Sequence, residues 1–173
     1  MRRELSGSEG ISGALSDIWS YHMRVYQSQR GQSSVLYVES AYQLRIMTFR
    51  LMRKMPKSYR WMISNHIVDE ANSIYDNVIK ANVVYVSKKN FNINDYELRH
   101  RYLMTAYAET RAILSNMSFL YDLIDEGNSE FYSKGDYVRR FENWTAQADK
   151  TLNLIKGVME SDKKRYIDQP GES

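Results

Sequence analysis

Along most of this chain apolar and small residues recur at alternating steps of three and four, the period of one helix face. Behind Ser33 or Ser34 as an N-cap, the positions Tyr37, Ala41, Leu44, Met47 or Thr48, Leu51 and Met55 predict a first helix over about 33–54. A second helix is expected over about 59–86, on the stripe Ile63, Ile67, Ala71, Ile74, Val78, Ala81 and Tyr85. The third opens at Asn94 or Asp95 and runs to about 126 on Leu98, Tyr102, Thr105 or Ala106, Ile113, Met117, Leu120 and Ile124. Gly127-Asn128 is its stop signal. Asp136 caps a fourth helix reaching 164 or 165, with Val138, Phe141, Thr145, Ala148, Leu152, Ile155 and Met159 in sequence.

The breaks between these runs are short. Pro56 disfavours helical geometry at Met55, so Met55-Pro56-Lys57-Ser58 reads as a tight turn, and the polar segment 87–94 reads as a second. Short connections make sequential helices antiparallel neighbours. The pattern therefore predicts an all-α fold, an antiparallel up-down-up-down four-helix bundle over 35–166. Residues 1–34 hold Gly7, Gly10, Gly13 and Gly31, half of the 8 glycines. They read as an N-terminal extension, flexible or carrying one short helix over about 16–29. The tail 167–173 is expected to fray.

Composition narrows this further. With 43% hydrophobic and 26% charged residues the chain should fold, and 8 Gly with 2 Pro leave too little turn punctuation for an all-β or α/β chain. The absence of cysteine excludes disulfides, thiolate metal sites and a cysteine nucleophile, and fits a reducing cytoplasm. Met1-Arg2-Arg3-Glu4-Leu5 has a basic start, but Ser6-Gly7-Ser8-Glu9-Gly10 stands where a signal peptide needs an apolar core. Neither export nor a membrane span is expected.

Catalytic signatures are missing. The histidines His22, His66 and His100 have no partner at helical ligand spacing and no Glu-x-x-His, so no di-metal carboxylate site is expected. No phosphate-binding glycine loop, dinucleotide fingerprint, nucleophile elbow or zinc-protease motif occurs, so no cofactor is expected. Asp69-Glu70 reads as a solvated helix face, and most of the 14 tyrosines fall at core spacing. The chain reads as one that is not an enzyme.

Charge carries the functional signal. The net charge is +3, yet from Ser40 to Val68 there are Arg45, Arg50, Arg53, Lys54, Lys57 and Arg60 and no acid. Such a concentration repels itself unless an anion neutralises it, which points to phosphates. In an up-down bundle Lys134, Arg139 and Arg140 return to this end, while Lys88, Lys89, Arg99 and Arg101 form a separate group at the other. Asp122, Asp125, Glu126 and Glu130 lie near the first group, and an internally compensated surface is the alternative reading.

The segment Met55-Pro56-Lys57-Ser58-Tyr59-Arg60, followed by Met62-Ile63-Ser64-Asn65-His66-Ile67, resembles the junction of the first two helices in accessory variability determinant proteins of diversity-generating retroelements. Leu154-Ile155-Lys156-Gly157-Val158-Met159-Glu160-Ser161-Asp162 is similar to the end of that family's last helix. The resemblance spans about 36–163. It implies a four-helix protomer that forms a homopentamer, contacts a reverse transcriptase and its structured template RNA or an RNA/DNA hybrid, and supports mutagenic complementary-DNA synthesis. The chain departs from the family in its residues 1–34 and in its modest net charge. Four-helix proteins of ribosomal RNA intervening sequences, and a protein-only interaction adaptor, are the alternative readings.

Overall fold

A computed structural model describes residues 32–55, 63–127 and 134–168 of the chain. These form four α-helices and no strand: α1 Gln32–Met52, α2 Asn65–Val83, α3 Ile93–Gly127 and α4 Lys134–Tyr166. The chain divides into two units, Met1–Val35 and Leu36–Ser173, and the helical core lies in the second. The expected extension with its short helix over 16–29, the Pro56–Ser58 part of the first turn, and most of the final tail lie outside the described residues.

In α1 and the turn after it, Tyr37, Ala41, Leu44, Thr48, Leu51 and Met55 are buried, at the spacing read from the sequence. The helix ends at Met52, and the chain closes with 3.2 Å and 3.0 Å bonds from the Lys54 and Met55 amides to the carbonyls of Leu51 and Met52. In α2, Ile67, Ala71, Ile74, Val78 and Ala81 are buried, with Ile63 packed against them from the preceding turn. Tyr85 is not: it is 70% exposed. Helical geometry stops at Val83, Val84 is extended, and Val86 takes the buried place instead, its carbonyl accepting the Tyr166 hydroxyl at 2.9 Å.

The two later helices keep part of their expected stripes, Ala106, Ile113, Met117 and Leu120 in α3 and Ala148 and Ile155 in α4, and depart from them elsewhere. In α3 the inward run is Tyr96, Arg99, Leu103, Ala106, Thr110, Ile113, Met117 and Leu120, an unbroken 3-4 alternation, while Leu98 is 37% exposed and Thr105 faces solvent. In α4 the buried positions are Tyr137, Trp144, Ala148, Thr151, Ile155 and Asp162, so Val138, Thr145 and Leu152 sit one position off the inner face. Part of the departure has a physical cause: polar residues occupy the inward positions Arg99, Thr110, Thr151 and Asp162, and an apolar criterion steps over them. The inward Leu103, Tyr137 and Trp144 are apolar, each one position from an expected residue.

Pairs along each interface run in opposite numerical directions. From α1 to α2, the Tyr37 hydroxyl donates to Asn82 Oδ1 and Arg45 Nε to Asn72 Oδ1. From α2 to α3, Asn116 Nδ2 donates to Glu70, Ser73 Oγ and Asn77 Nδ2 donate to Glu109, and Arg99 Nη1 donates to the Ala81 carbonyl. From α3 to α4, Arg99 meets Asp162 and the Tyr121 and Phe141 rings lie 4.8 Å apart. From α4 back to α1, Thr151 and Gln147 bond Ser40, and Trp144 Nε1 donates to Thr48 Oγ1. All four helices thus contribute to one buried cluster. Each fully buried Leu or Ile in it stabilises the fold by about 1.5–3 kcal/mol.

Candidate nucleic-acid interface

The first basic group lies where α1 ends and α4 begins. Arg50, Arg53 and Lys54 are exposed, as are Arg139 and Arg140. The buried Thr48–Trp144 bond brings these two segments to the same end, since Arg50 follows Thr48 by two residues and Arg140 precedes Trp144 by four. Phe49, 58% exposed, stands next to Arg50 in sequence and adds an apolar ring to this surface. Lys57 and Arg60 lie outside the described residues.

Arg45 stands apart from this group. Its Nε donates to Asn72 at 2.7 Å and its guanidinium lies 5.1 Å from the centre of the Tyr75 ring, a half-buried stacked arrangement that ties α1 to α2. It lines a groove of about 300 Å³ with Tyr42, Ile46, Phe49, Val68, Ala71 and Asn72.

At the other end, Lys88, Lys89 and Arg101 are exposed and Arg99 is not. The Arg99 side chain is 11% exposed; its Nε meets Asp162 Oδ2 at 2.6 Å and its Nη1 donates to the Ala81 carbonyl at 2.6 Å. Burial lowers its pKa, but Tyr37 and Asp162 outweigh that and hold the guanidinium above its ordinary value. Arg99 therefore closes the last turn of α2 and bridges to α4, which takes it out of the expected surface group.

In its place the fold supplies cations that the sequence reading did not include. Because α4 continues to Tyr166, Lys164 and Arg165 arrive beside Lys88 and line a groove of about 410 Å³ with Gly157, Glu160 and Ser161. The run Lys163-Lys164-Arg165 was the available signal, but only the contact between Tyr166 and Val86 shows which loop it meets.

The carboxylate pair splits. Asp69 faces solvent, whereas Glu70 turns into the α2–α3 interface, accepting from Asn116 Nδ2 at 2.7 Å with His66 Nε2 at 3.4 Å. Glu109 similarly accepts from Ser73 and Asn77. These carboxylates hold helices together. Among the described residues no three His, Asp or Glu side chains converge as a metal site would need, and no helix is long and apolar enough to cross a membrane.

The chain matches no protein-family model, no curated protein and no solved structure.

Proposed function

We propose that this chain is a non-catalytic, cytoplasmic accessory subunit, an up-down-up-down four-helix bundle that holds the phosphate backbone of a structured RNA. The observation that carries this reading is the joining of Arg50 on α1, and Arg53 and Lys54 in the turn after it, with Arg139 and Arg140 on α4 at one end, the exposed Phe49 ring standing next to Arg50 in sequence. Cations grouped in this way neutralise phosphates and fix register without reading bases. The opposed numerical runs at all four interfaces support the topology.

The resemblance of Met55–Ile67 and Leu154–Asp162 to accessory variability determinant proteins supplies the rest of the proposal. The RNA would be the template of a diversity-generating retroelement, the protein partner its reverse transcriptase, and the assembly a homo-oligomer, a pentamer in that family. Replacing Arg53, Lys57 and Arg60 together by Gln tests the phosphate site. The expected result is weaker RNA binding with a flatter salt dependence and unchanged helicity; an unchanged salt slope would remove these residues from the site.

A second reading, a protein-only adaptor, is favoured by the groove beside the exposed Phe49, which is lined by Tyr42, Ile46 and Val68. Partner binding that competing RNA leaves untouched would select it.

A further inference from the structure

The groove between the 84–92 segment and the last turns of α4 lies at the opposite end from the cations assigned above. Lys88 stands on one wall, Lys164 and Arg165 on the other, and Gly157 lies along it about two turns earlier in α4. A Cβ built on Gly157 would meet nothing within 4 Å, so no packing within the chain demands a glycine there. Glycine weakens a helix interior, and its presence keeps the groove open.

Of two acids on this stretch of α4, one lines the groove and the other is buried away from it. Glu160 pairs with Lys156 at 3.8 Å, and Asp162 is turned inward onto Arg99 at 2.6 Å. The C-terminal end of α4 itself attracts cations, which accounts for basic residues in its last turn. It does not account for Lys88 facing them from another segment, nor for the open space at Gly157. Three residues before Lys88, at most about 11 Å along an extended chain, the ring of Tyr85 is largely exposed. An exposed ring within that reach of a cationic groove is a surface that unpaired bases can stack upon, and paired bases in a duplex do not present their faces.

We propose that this groove binds single-stranded nucleic acid, with its phosphates on Lys88, Lys164 and Arg165 and a base stacked on Tyr85. The site is a second contact for the RNA of the proposed function and rests on that reading. A single strand leaving a structured region held at the Arg50–Arg140 end would then have a place to lie at the other.

The test measures binding of the full chain to an unstructured single-stranded RNA oligonucleotide, to a duplex of the same length and to polyglutamate, across a salt series. Variants are the triple change Lys88→Gln, Lys164→Gln and Arg165→Gln, together with Gly157→Leu, Tyr85→Ala and Tyr85→Trp. For the single strand the triple change is expected to lower the slope of log affinity against log salt by about 2, at ~0.7 per phosphate contact. Tyr85→Ala should weaken binding roughly tenfold and Tyr85→Trp restore it, the mark of stacking. Gly157→Leu should weaken binding with helicity unchanged or raised. Duplex binding should be less affected by all four. Wild-type affinity and slope in the groove variants, with binding lost on removing Arg53, Lys57 and Arg60, would overturn this site and leave the first reading standing. Absence of RNA binding by the wild-type chain would overturn both, and polyglutamate binding that depends on the groove as strongly as the single strand does would assign it to an acidic protein partner and overturn the proposal.

Discussion

The indole N–H of Trp144 donates to the hydroxyl of Thr48 at 2.7 Å, inside the core and across 96 residues of sequence. Thr48 in turn donates to the Leu44 carbonyl at 2.8 Å, so one hydroxyl satisfies a buried ring and hangs on its own helix. A little further along the same interface, Ser40, Gln147 and Thr151 form a second polar cluster. A slip of α4 against α1 would orphan both sets of donors, and a buried unpaired donor costs about 1–3 kcal/mol.

Thr48→Val keeps the shape and removes the acceptor. The expected loss of stability is about 1–3 kcal/mol, measured by urea unfolding, with Trp144 left unpaired. In the Thr48→Val background Trp144→Phe should cost less than it does in the wild-type chain, because the N–H it removes is already unsatisfied. Equal costs in both backgrounds would show that the bond carries no coupling.

Arg99 and Asp162 are buried partners, and each is expensive alone. Asp162→Leu leaves a buried guanidinium without its counter-charge and is expected to destabilise by about 3–5 kcal/mol. Adding Arg99→Met to that variant should recover much of the loss, since an apolar pair of similar volume needs no desolvation. Chemical unfolding of the two single variants and the double variant decides this.

Tyr96 gives an alkaline signature. Burial, and then the charges of Asp162 and Asp168, push its phenol above its ordinary value of 10.0. Above pH 10 the unfolded chain therefore releases this proton more readily than the folded one. Stability from this group is fully present below that pH and is lost as pH rises through the folded pKa. Tyr96→Phe should make the fall in stability between neutral pH and the alkaline range shallower, followed by circular dichroism at a series of pH values.

Gly157 lies inside α4 with no atom within 4 Å of a would-be Cβ, and no described glycine has positive φ. Gly157→Ala is thus expected to raise stability by about 0.5–1 kcal/mol, read as a higher thermal midpoint. A lower midpoint would mean that this turn of α4 needs glycine for a reason other than space.

What could be read from the sequence depended on how polar the inner faces are. Helices α1 and α2 keep apolar residues at most inward positions, with Ser40 and Thr48 the buried polar residues of α1, and their stripes are legible from Tyr37 to Ala81. In α3 and α4 the inward positions Arg99, Thr110, Thr151 and Asp162 are polar; Thr110 bonds the Ala106 carbonyl of its own helix, whereas Arg99, Thr151 and Asp162 meet partners on other helices that a linear pattern does not contain. Arg99 looks like a surface cation in the sequence because its counter-charge lies 63 residues away. The Arg50–Lys54 cluster needed no such information, being contiguous. The groove of Lys88, Lys164 and Arg165 did, because it exists only where the end of α4 meets the segment after α2.

The most direct test of the central claim is fluorescence-anisotropy titration of a structured RNA with the purified chain over a salt series, with the mass in solution determined alongside. Affinity that falls steeply with salt, shown by an oligomer, is the predicted result. A monomer that fails to bind RNA even at low salt would contradict the nucleic-acid reading and transfer the basic ends to a protein partner.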